Sequence, residues 1–234
     1  MPKNKKVKLE SIAVEEIKPT EEVKTVAEEK PVLEIPEEIK IDSSALPDII
    51  KSFTAEEVQQ YEFAKGFCKD KNVVELNNGY SLGLVRKELL GDVKSIVAYS
   101  QDRPKISEMK KGIGSKELCQ YSDMETLECG DGVADVVLVF DILQYVKNPV
   151  QLLAEIKRIL SPSGTVIISA SNYQGMNFVD KRHLKEYTST QLIEMIGKKF
   201  RNLKYYKQKP IPITEVQDGW YDGQIILMVA SNVL

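Results

Sequence analysis

The side chain of this sequence best suited to acid–base catalysis is that of its single histidine. His183 follows the fifth predicted strand, and an imidazole with an unperturbed pKa of about 6.5 suits a general base for an oxygen or nitrogen nucleophile. A lone loop histidine is also commonly solvent-exposed and idle, so both interpretations stay open. Cys68, Cys119 and Cys129 have no paired spacing, so a zinc site and a disulfide framework are not indicated, and no metal site is predicted.

The turn after the first predicted strand is the second candidate for a site. It holds Glu75, Asn77, Gly79 and Ser81 within Glu75-Leu76-Asn77-Asn78-Gly79-Tyr80-Ser81. This is not GxGxxG, and it is not a phosphate-binding loop that ends in lysine and a hydroxyl residue, so dinucleotides and nucleoside triphosphates are not indicated as ligands. A glycine such as Gly79 is needed at a tight turn with or without a ligand.

Alternating strand-like and helix-like segments, starting at Asn72, must position these residues. The strand segments are continuous apolar runs, which is typical of a parallel sheet covered on both faces. The pattern therefore predicts a doubly wound α/β domain, in which ligands bind at the carboxyl ends of the strands where the strand order reverses. Strands are predicted over 73–76, 95–99, 117–119, 134–140, 165–170, 202–206 and 224–230. Helices are predicted over 82–90 and 104–111, and a further helix, capped at 188–191, continues through residue 199.

Helix starts are marked by capping signals. Thr54 with Glu57 forms a capping box, Asn148 precedes a proline suited to the first helical position, and Thr188 stands three residues before Gln191. Each signal predicts that a helix begins at the next residue.

The first part of the chain differs in composition from the rest. Residues 1–46 contain no glycine and no aromatic residue, and Lys3 to Asp42 includes eight lysines and eleven acids. So little apolar surface cannot offset the ordering entropy of about 1–2 kcal/mol per residue, which predicts a disordered charged tail ahead of one domain over 47–234. The tail is interpreted either as a solvated leader or as an arm that docks on a protein partner.

Overall charge and hydropathy exclude several classes of function. The chain has 234 residues and a net charge of −3, so a globally basic nucleic-acid surface is not indicated. Its longest apolar run, Ile225 to Ala230, is far below the ~20 residues that span a bilayer. The basic first residues lack a following apolar stretch, so no secretory signal is predicted, and a cytoplasmic location is expected.

One long stretch resembles a known family. The strand Ala134 to Phe140, the segment Asp141 to Pro149, the helix with Leu152 and Ile156, and the turn Ser161-Pro162-Ser163-Gly164 resemble the class I S-adenosylmethionine-dependent methyltransferases, particularly the small-molecule branch. The resemblance covers roughly residues 50 to 230. It implies a seven-stranded, mostly parallel Rossmann-like sheet with the last strand antiparallel, S-adenosylmethionine as cofactor, and methyl transfer to an unknown small-molecule acceptor.

The resemblance also implies roles for individual residues. Glu75 and Gly79 match the acid and the middle glycine of the family's first loop, whereas Asn77 and Ser81 stand where the family has its other two glycines. The acid that binds the ribose hydroxyls falls at Ser100 or Gln101, with Asp102 the nearest carboxylate. The remaining implied contacts are Asp123 and Met124 to the adenine, Phe140 along the cofactor and His183 as the base.

These departures leave a second hypothesis open. Asn77 with Ser81, and the missing ribose acid, would suit a methyltransferase-like protein that has lost its cofactor and serves as a binding or scaffolding subunit. In that case the tail would dock a protein partner. Asp123 is then a loop acid, and Glu75 a strand-end acid.

Overall fold

The computed structural model of the protein describes residues 54–77, 90–104, 106, 119–173, 181–208, 213–216 and 225–231. The predicted tail, its boundary at residue 47, and the loop residues Gly79 and Ser81 lie outside these residues, as does most of the predicted helices over 82–90 and 104–111. The elements are α1 (Ala55–Cys68), β1 (Asn72–Asn77), β2 (Ser95–Ser100), β3 (Cys119–Tyr121), β4 (Ala134–Phe140), α2 (Pro149–Ile159), β5 (Leu160–Ser171), α3 (Ser189–Gly197), β6 (Arg201–Gln208), β7 (Ile213–Glu215) and β8 (Ile225–Ser231).

The strands form one sheet in the order β3-β2-β1-β4-β5-β8-β6-β7. The five strands β1 to β5 pair in parallel, and β8 runs antiparallel to both β5 and β6. The predicted fold class is therefore confirmed, including the antiparallel last strand. The edge strand β7, which pairs antiparallel with β6, was not predicted, because three residues are too few to show a period.

The two faces of the sheet bury different helices. Val73, Val136 and Leu138 lie on the face that α1 covers with Tyr61 and Ala64. The residues next to them in each strand face the other way, into the larger cluster that α2 and α3 cover. Because successive strand side chains point to opposite faces and both faces are covered, these strands must be apolar throughout.

The capping signals set the helix starts as predicted. Thr54 accepts a hydrogen bond from the Glu57 amide at 3.2 Å and donates its own amide to the Glu57 side chain at 2.8 Å. Asn148 accepts from the Gln151 amide, and Thr188 forms the same reciprocal box with Gln191. No helix among the described residues is long and apolar enough to cross a membrane.

The strand order reverses direction at β1, and the predicted ligand site is expected at this reversal. From β1 the chain continues through β2 to β3 on one side, and β4 and β5 lie on the other. The register sets Asn77 beside Ser100 and Phe140 beside Ser169, so all four residues lie at the carboxyl edge of the sheet. This edge, at a topological switch point, is where open α/β sheets bind ligands.

Candidate functional site

Helix α1 closes one side of the switch point through Tyr61. The Tyr61 hydroxyl donates a hydrogen bond of 2.5 Å to Oε1 of Glu75, and the Tyr61 ring packs edge-to-face on Phe140 with 5.1 Å between centroids. Tyr61 thus joins the ends of β1 and β4. Glu75 is fully buried, so its carboxylate is held in a fixed position inside the fold.

The Glu75 carboxylate also affects the nearby thiol of Cys68. Burial, and secondarily the negative charge of Glu75, raises the pKa of Cys68 to about 12. The thiol is therefore neutral at physiological pH and unreactive as a nucleophile. This agrees with a packing role for Cys68 in the cluster beneath α1.

The predicted ribose end of the site is built from the ends of β1 and β2. Asn77 and Ser100 are both buried, and the Ser100 hydroxyl accepts a hydrogen bond from the Asp102 amide at 3.1 Å. The Asp102 carbonyl accepts from the Ile106 amide, which begins a helical turn. The Ser100 hydroxyl is therefore already used by the backbone, and Asp102 is the partly exposed carboxylate at this end.

A shallow cavity of about 480 Å³, widely open to solvent, lies beside this turn at the ends of β2 and β3. Tyr121 forms part of its wall, and the Arg103 guanidinium carbon lies 3.5 Å from the centre of the Tyr121 ring. Such stacking is a cation–π contact. The cavity is lined by Gln101, Asp102, Arg103, Pro104 and Tyr121.

The predicted adenine residues lie in a tight turn after β3. Oδ1 of Asp123 accepts from the amides of Glu125 at 2.9 Å and Thr126 at 3.2 Å, so this carboxylate caps the turn. Met124 has a φ of 65° and a fully buried side chain. Gln101 donates from its side chain to the Asp123 carbonyl at 3.1 Å, which ties the turn to the end of β2. Because Met124 exposes no surface, an adenine ring would contact it only after this turn shifts.

The other end of the site lies beyond β4, at Asp141. Its φ of 50° is unusual for a residue with a side chain, and such conformations concentrate at functional sites. The Asp141 amide donates to the hydroxyl of Ser169 at 3.1 Å, and that hydroxyl donates to Oε1 of Gln60 at 3.0 Å. Burial raises the pKa of Asp141 above its ordinary value, although hydrogen bonds from Gln60 and Ser169 and the proximity of His183 partly oppose that rise.

This raised pKa predicts how stability depends on pH. The folded state holds the Asp141 proton more tightly than the unfolded state, so its contribution is complete at pH values below the ordinary pKa and is lost as the pH rises through the raised pKa. We expect Asp141→Asn to be more stable than the wild type at neutral pH and equal to it at low pH. Urea denaturation between pH 3 and pH 8 measures the difference, with the exposed Asp92→Asn as control. A difference that does not change with pH would contradict this assignment.

His183 is not the exposed loop residue that one interpretation expected. Its side chain is only 5% exposed, and Nδ1 lies 2.6 Å from Oε1 of Glu186. The imidazole packs edge-to-face against Tyr145, with 4.8 Å between the ring centres. The amide of Leu184, the residue after His183, donates to the Gln144 carbonyl at 2.7 Å, so His183 lies beside the turn that follows β4. The interpretation as an exposed residue is therefore wrong.

Several contributors to this edge were missed by sequence reasoning. Tyr61 could be suspected, since a tyrosine on an apolar helix face needs a partner for its hydroxyl. Gln144 is fully buried, and among the described residues no group hydrogen-bonds to its side-chain oxygen or nitrogen, or to the buried Tyr187 hydroxyl. No local pattern in the sequence reveals the contact of Glu186 with His183. The two residues are three positions apart but lie outside a helix, where that spacing has no fixed geometry. Among the described residues, no group of His, Cys, Asp and Glu has a metal-binding arrangement.

The chain is similar to known methyltransferases in part of its sequence and in its fold. A family model described as a methyltransferase domain matches residues 76–168, from the end of β1 into β5. Over these residues the chain is similar to a methyltransferase domain. The predicted resemblance to class I S-adenosylmethionine-dependent methyltransferases is thereby confirmed, and the matched span includes Asn77, Ser100, Asp123 and Asp141. A search of curated protein sequences found no match.

Solved structures of methyltransferases share the fold of this domain. A Thermotoga maritima S-adenosylmethionine-dependent methyltransferase, described as a possible histamine N-methyltransferase, superposes with a TM-score of 0.61 at 15% identity, covering 81% of this chain and 96% of that one. An Archaeoglobus fulgidus S-adenosylmethionine-dependent methyltransferase gives 0.58 at 13%, with coverages of 76% and 94%. A candidate methyltransferase from Haloferax volcanii, in complex with the Trm112 activator, gives 0.54 at 16%, with 81% and 98%.

Proposed function

We propose that this protein is an S-adenosylmethionine-dependent methyltransferase that acts on a small-molecule acceptor in the cytoplasm. The observation that carries the proposal is the pairing of two features at one sheet edge. A cavity opens at the ends of β2 and β3, and the partly buried His183–Glu186 pair lies beyond β4 and β5. A cofactor in the first and an acceptor beside the second would meet across the switch point.

The residues around the cavity suit the parts of S-adenosylmethionine. The buried carboxylate of Glu75 gives a negative potential that favours the cationic methionine end, and the charge acts strongly at short range inside the fold. Asp102 is the carboxylate among the residues that line the cavity, beside Arg103 and Tyr121, and it would bind the ribose hydroxyls. The proposed cofactor-binding residues are Glu75, Asn77, Gly79, Ser81, Ser100, Asp102, Asp123, Met124 and Phe140.

The chemistry of this proposal requires mainly positioning from the protein. The bound cofactor would supply an activated methyl group. The side chains at the end of β4 would hold the acceptor in line with it, and correct orientation alone removes a large part of the barrier of a two-substrate reaction. His183 would take up the proton that the acceptor loses.

A transfer assay tests the function. The full chain is incubated with S-adenosylmethionine labelled in its methyl group and a small-molecule fraction from the source cells. We expect label to appear in one or a few small molecules, and S-adenosylhomocysteine added in excess should suppress it. Label that remains on the cofactor, at protein concentrations that saturate it, would contradict methyl transfer to small molecules.

Two observations favour a binding subunit as the second candidate. The Asn77 side chain is buried where the family has a glycine, and the Ser100 hydroxyl is already bonded to the Asp102 amide. In this case the chain would bind no cofactor, and residues 1–46 would carry the contact with a protein partner. The two candidates differ in a single measurable property, the affinity for S-adenosylmethionine.

A further inference from the structure

We propose that Glu186 is a positioning residue that fixes the tautomer of His183 and leaves its Nε2 atom as the base. This inference rests on the proposed function, since it assigns His183 a proton to accept. The inference also specifies the class of acceptor for that function, a molecule whose reacting oxygen or nitrogen still carries a proton.

The short contact between the two side chains determines the tautomer. Nδ1 of His183 lies 2.6 Å from Oε1 of Glu186, and an ionised carboxylate can only accept hydrogen bonds. Nδ1 must therefore carry the hydrogen, and in a neutral imidazole the lone pair is then on Nε2. The second carboxylate oxygen of Glu186 is buried and has no hydrogen-bond partner, so among the described residues the side chain of Glu186 hydrogen-bonds only to His183.

The imidazole is held by its surroundings as well as by this hydrogen bond. The Tyr145 ring stands at 89° to the imidazole. The guanidinium carbon of Arg182 lies 6.0 Å from the centre of the same Tyr145 ring. The segment carrying the dyad is joined to the turn after β4, because the amides of Leu184 and Lys185 donate to the Gln144 carbonyl at 2.7 and 3.3 Å. Rotation of His183 away from this position would break the contacts with Tyr145 and Glu186.

The charge beside His183 suits a group that becomes cationic during the reaction. The carboxylate of Glu186 faces Nδ1 of the imidazole at 2.6 Å. Its negative charge would stabilise an imidazolium that forms when Nε2 takes a proton. An orienting carboxylate on the distal nitrogen of a catalytic histidine acts in this way in known hydrolases.

The step balances for a hydroxyl or amine acceptor. A bond forms between the acceptor oxygen or nitrogen and the methyl carbon while the carbon–sulfur bond breaks, and its electron pair stays on sulfur. The proton of the acceptor goes to Nε2 of His183. A nucleophile that carries no proton, such as a thiolate, would not need this base.

Nitrogen-15 NMR of the imidazole tests the assignment in the full chain. Because His183 is the only histidine of the sequence, its two ring nitrogens are observed without interference from other residues. At a pH where the ring is neutral, we expect Nδ1 to give a protonated-type signal and Nε2 an unprotonated-type signal. In Glu186→Ala the two signals should exchange types, since the Nε2–H form is the preferred tautomer of an unconstrained histidine.

Two further variants distinguish positioning from a general effect on the fold. Glu186→Gln keeps an accepting oxygen and should preserve the wild-type tautomer, and the exposed Glu194→Ala on α3 should leave both signals unchanged. An Nε2–H tautomer in the wild type would overturn the proposal, and this result does not depend on whether Glu186→Ala folds. A Glu186→Ala spectrum identical to that of the wild type would also overturn it. The measurement needs no cofactor, so its failure is distinguishable from a failure of the proposed function, which would appear as absent cofactor binding.

Discussion

Replacing Arg158 by methionine should lower the free energy of unfolding by about 3–5 kcal/mol, the cost of leaving a buried charge without its partner. Arg158 lies on α2, and its side chain is 19% exposed. Its guanidinium binds Glu155 with two nitrogens, at 3.0 and 2.8 Å, and Glu155 is itself only 10% exposed on its side chain. Methionine keeps much of the apolar stem of arginine, so the loss comes mainly from the charge and the hydrogen bonds.

The same guanidinium holds the segment between β3 and β4. It donates to the carbonyls of Leu127 at 3.0 Å and Cys129 at 2.7 Å, and to Asp131 at 2.6 Å. Glu155 accepts from the Leu127 amide at 3.0 Å, so the pair binds this segment in both directions. Hydrogen bonding to Glu155, and secondarily to Asp131, keeps the pKa of Arg158 above its ordinary value. We therefore expect the turn with Asp123 to loosen together with the loss of stability.

Urea denaturation followed by circular dichroism measures this effect. The matched control is Arg201→Met, because Arg201 is exposed and its side chain, within the described part of the chain, donates only to the backbone carbonyls of Gly197 and Phe200. The double variant Glu155→Leu with Arg158→Met should recover part of the loss, since it leaves no unpaired charge. A loss below about 1 kcal/mol in the single variant, the range of exposed ion pairs, would show that this network does not hold the segment.

Changing Glu75 to glutamine should weaken the binding of S-adenosylmethionine by about 10- to 100-fold. A charge-assisted interaction contributes about 1.5–3 kcal/mol, and each 1.4 kcal/mol is about tenfold in affinity. The carboxylate is fully buried at the end of β1, where its charge is poorly screened by water. Glutamine keeps an oxygen that can accept from Tyr61, so the local geometry is retained while the charge is removed.

Comparing two ligands separates charge from shape in this variant. S-adenosylhomocysteine lacks the sulfonium charge, so Glu75→Gln should weaken its binding less than that of S-adenosylmethionine. Tyr61→Phe removes the 2.5 Å hydrogen bond but not the charge, and we expect an intermediate effect. The exposed Glu62→Gln on α1 is the control. Equal affinities of wild type and Glu75→Gln for both ligands would contradict the role given to Glu75.

The elements predicted best from sequence are those whose signals are local. The apolar runs of β1, β2 and β4 appear within one residue of their predicted bounds, because buried parallel strands need apolar side chains at every position. The caps at Thr54, Asn148 and Thr188 also appear as predicted, since a capping side chain acts on its own neighbours. The three-residue strand β7 has no such signal.

Contacts between distant parts of the chain could not be predicted in this way. Gln60 of α1 donates to Gln208 of β6 at 3.2 Å across 148 residues, and Arg158 reaches the Leu127 carbonyl from another element. The burial of His183 depends on Tyr145, which lies in the turn after β4. These contacts depend on how elements pack, which neither periodicity nor spacing encodes.

Calorimetric titration of the full chain with S-adenosylmethionine is the most direct measurement of whether this sheet edge is a cofactor site. We expect saturable binding with a dissociation constant in the micromolar range, together with binding of S-adenosylhomocysteine at the same stoichiometry. The titration is run at two temperatures, so that a binding enthalpy of zero is not mistaken for an absence of binding. No binding heat at millimolar S-adenosylmethionine at either temperature would contradict a cofactor site at this sheet edge. The protein would then keep the methyltransferase fold for a different purpose.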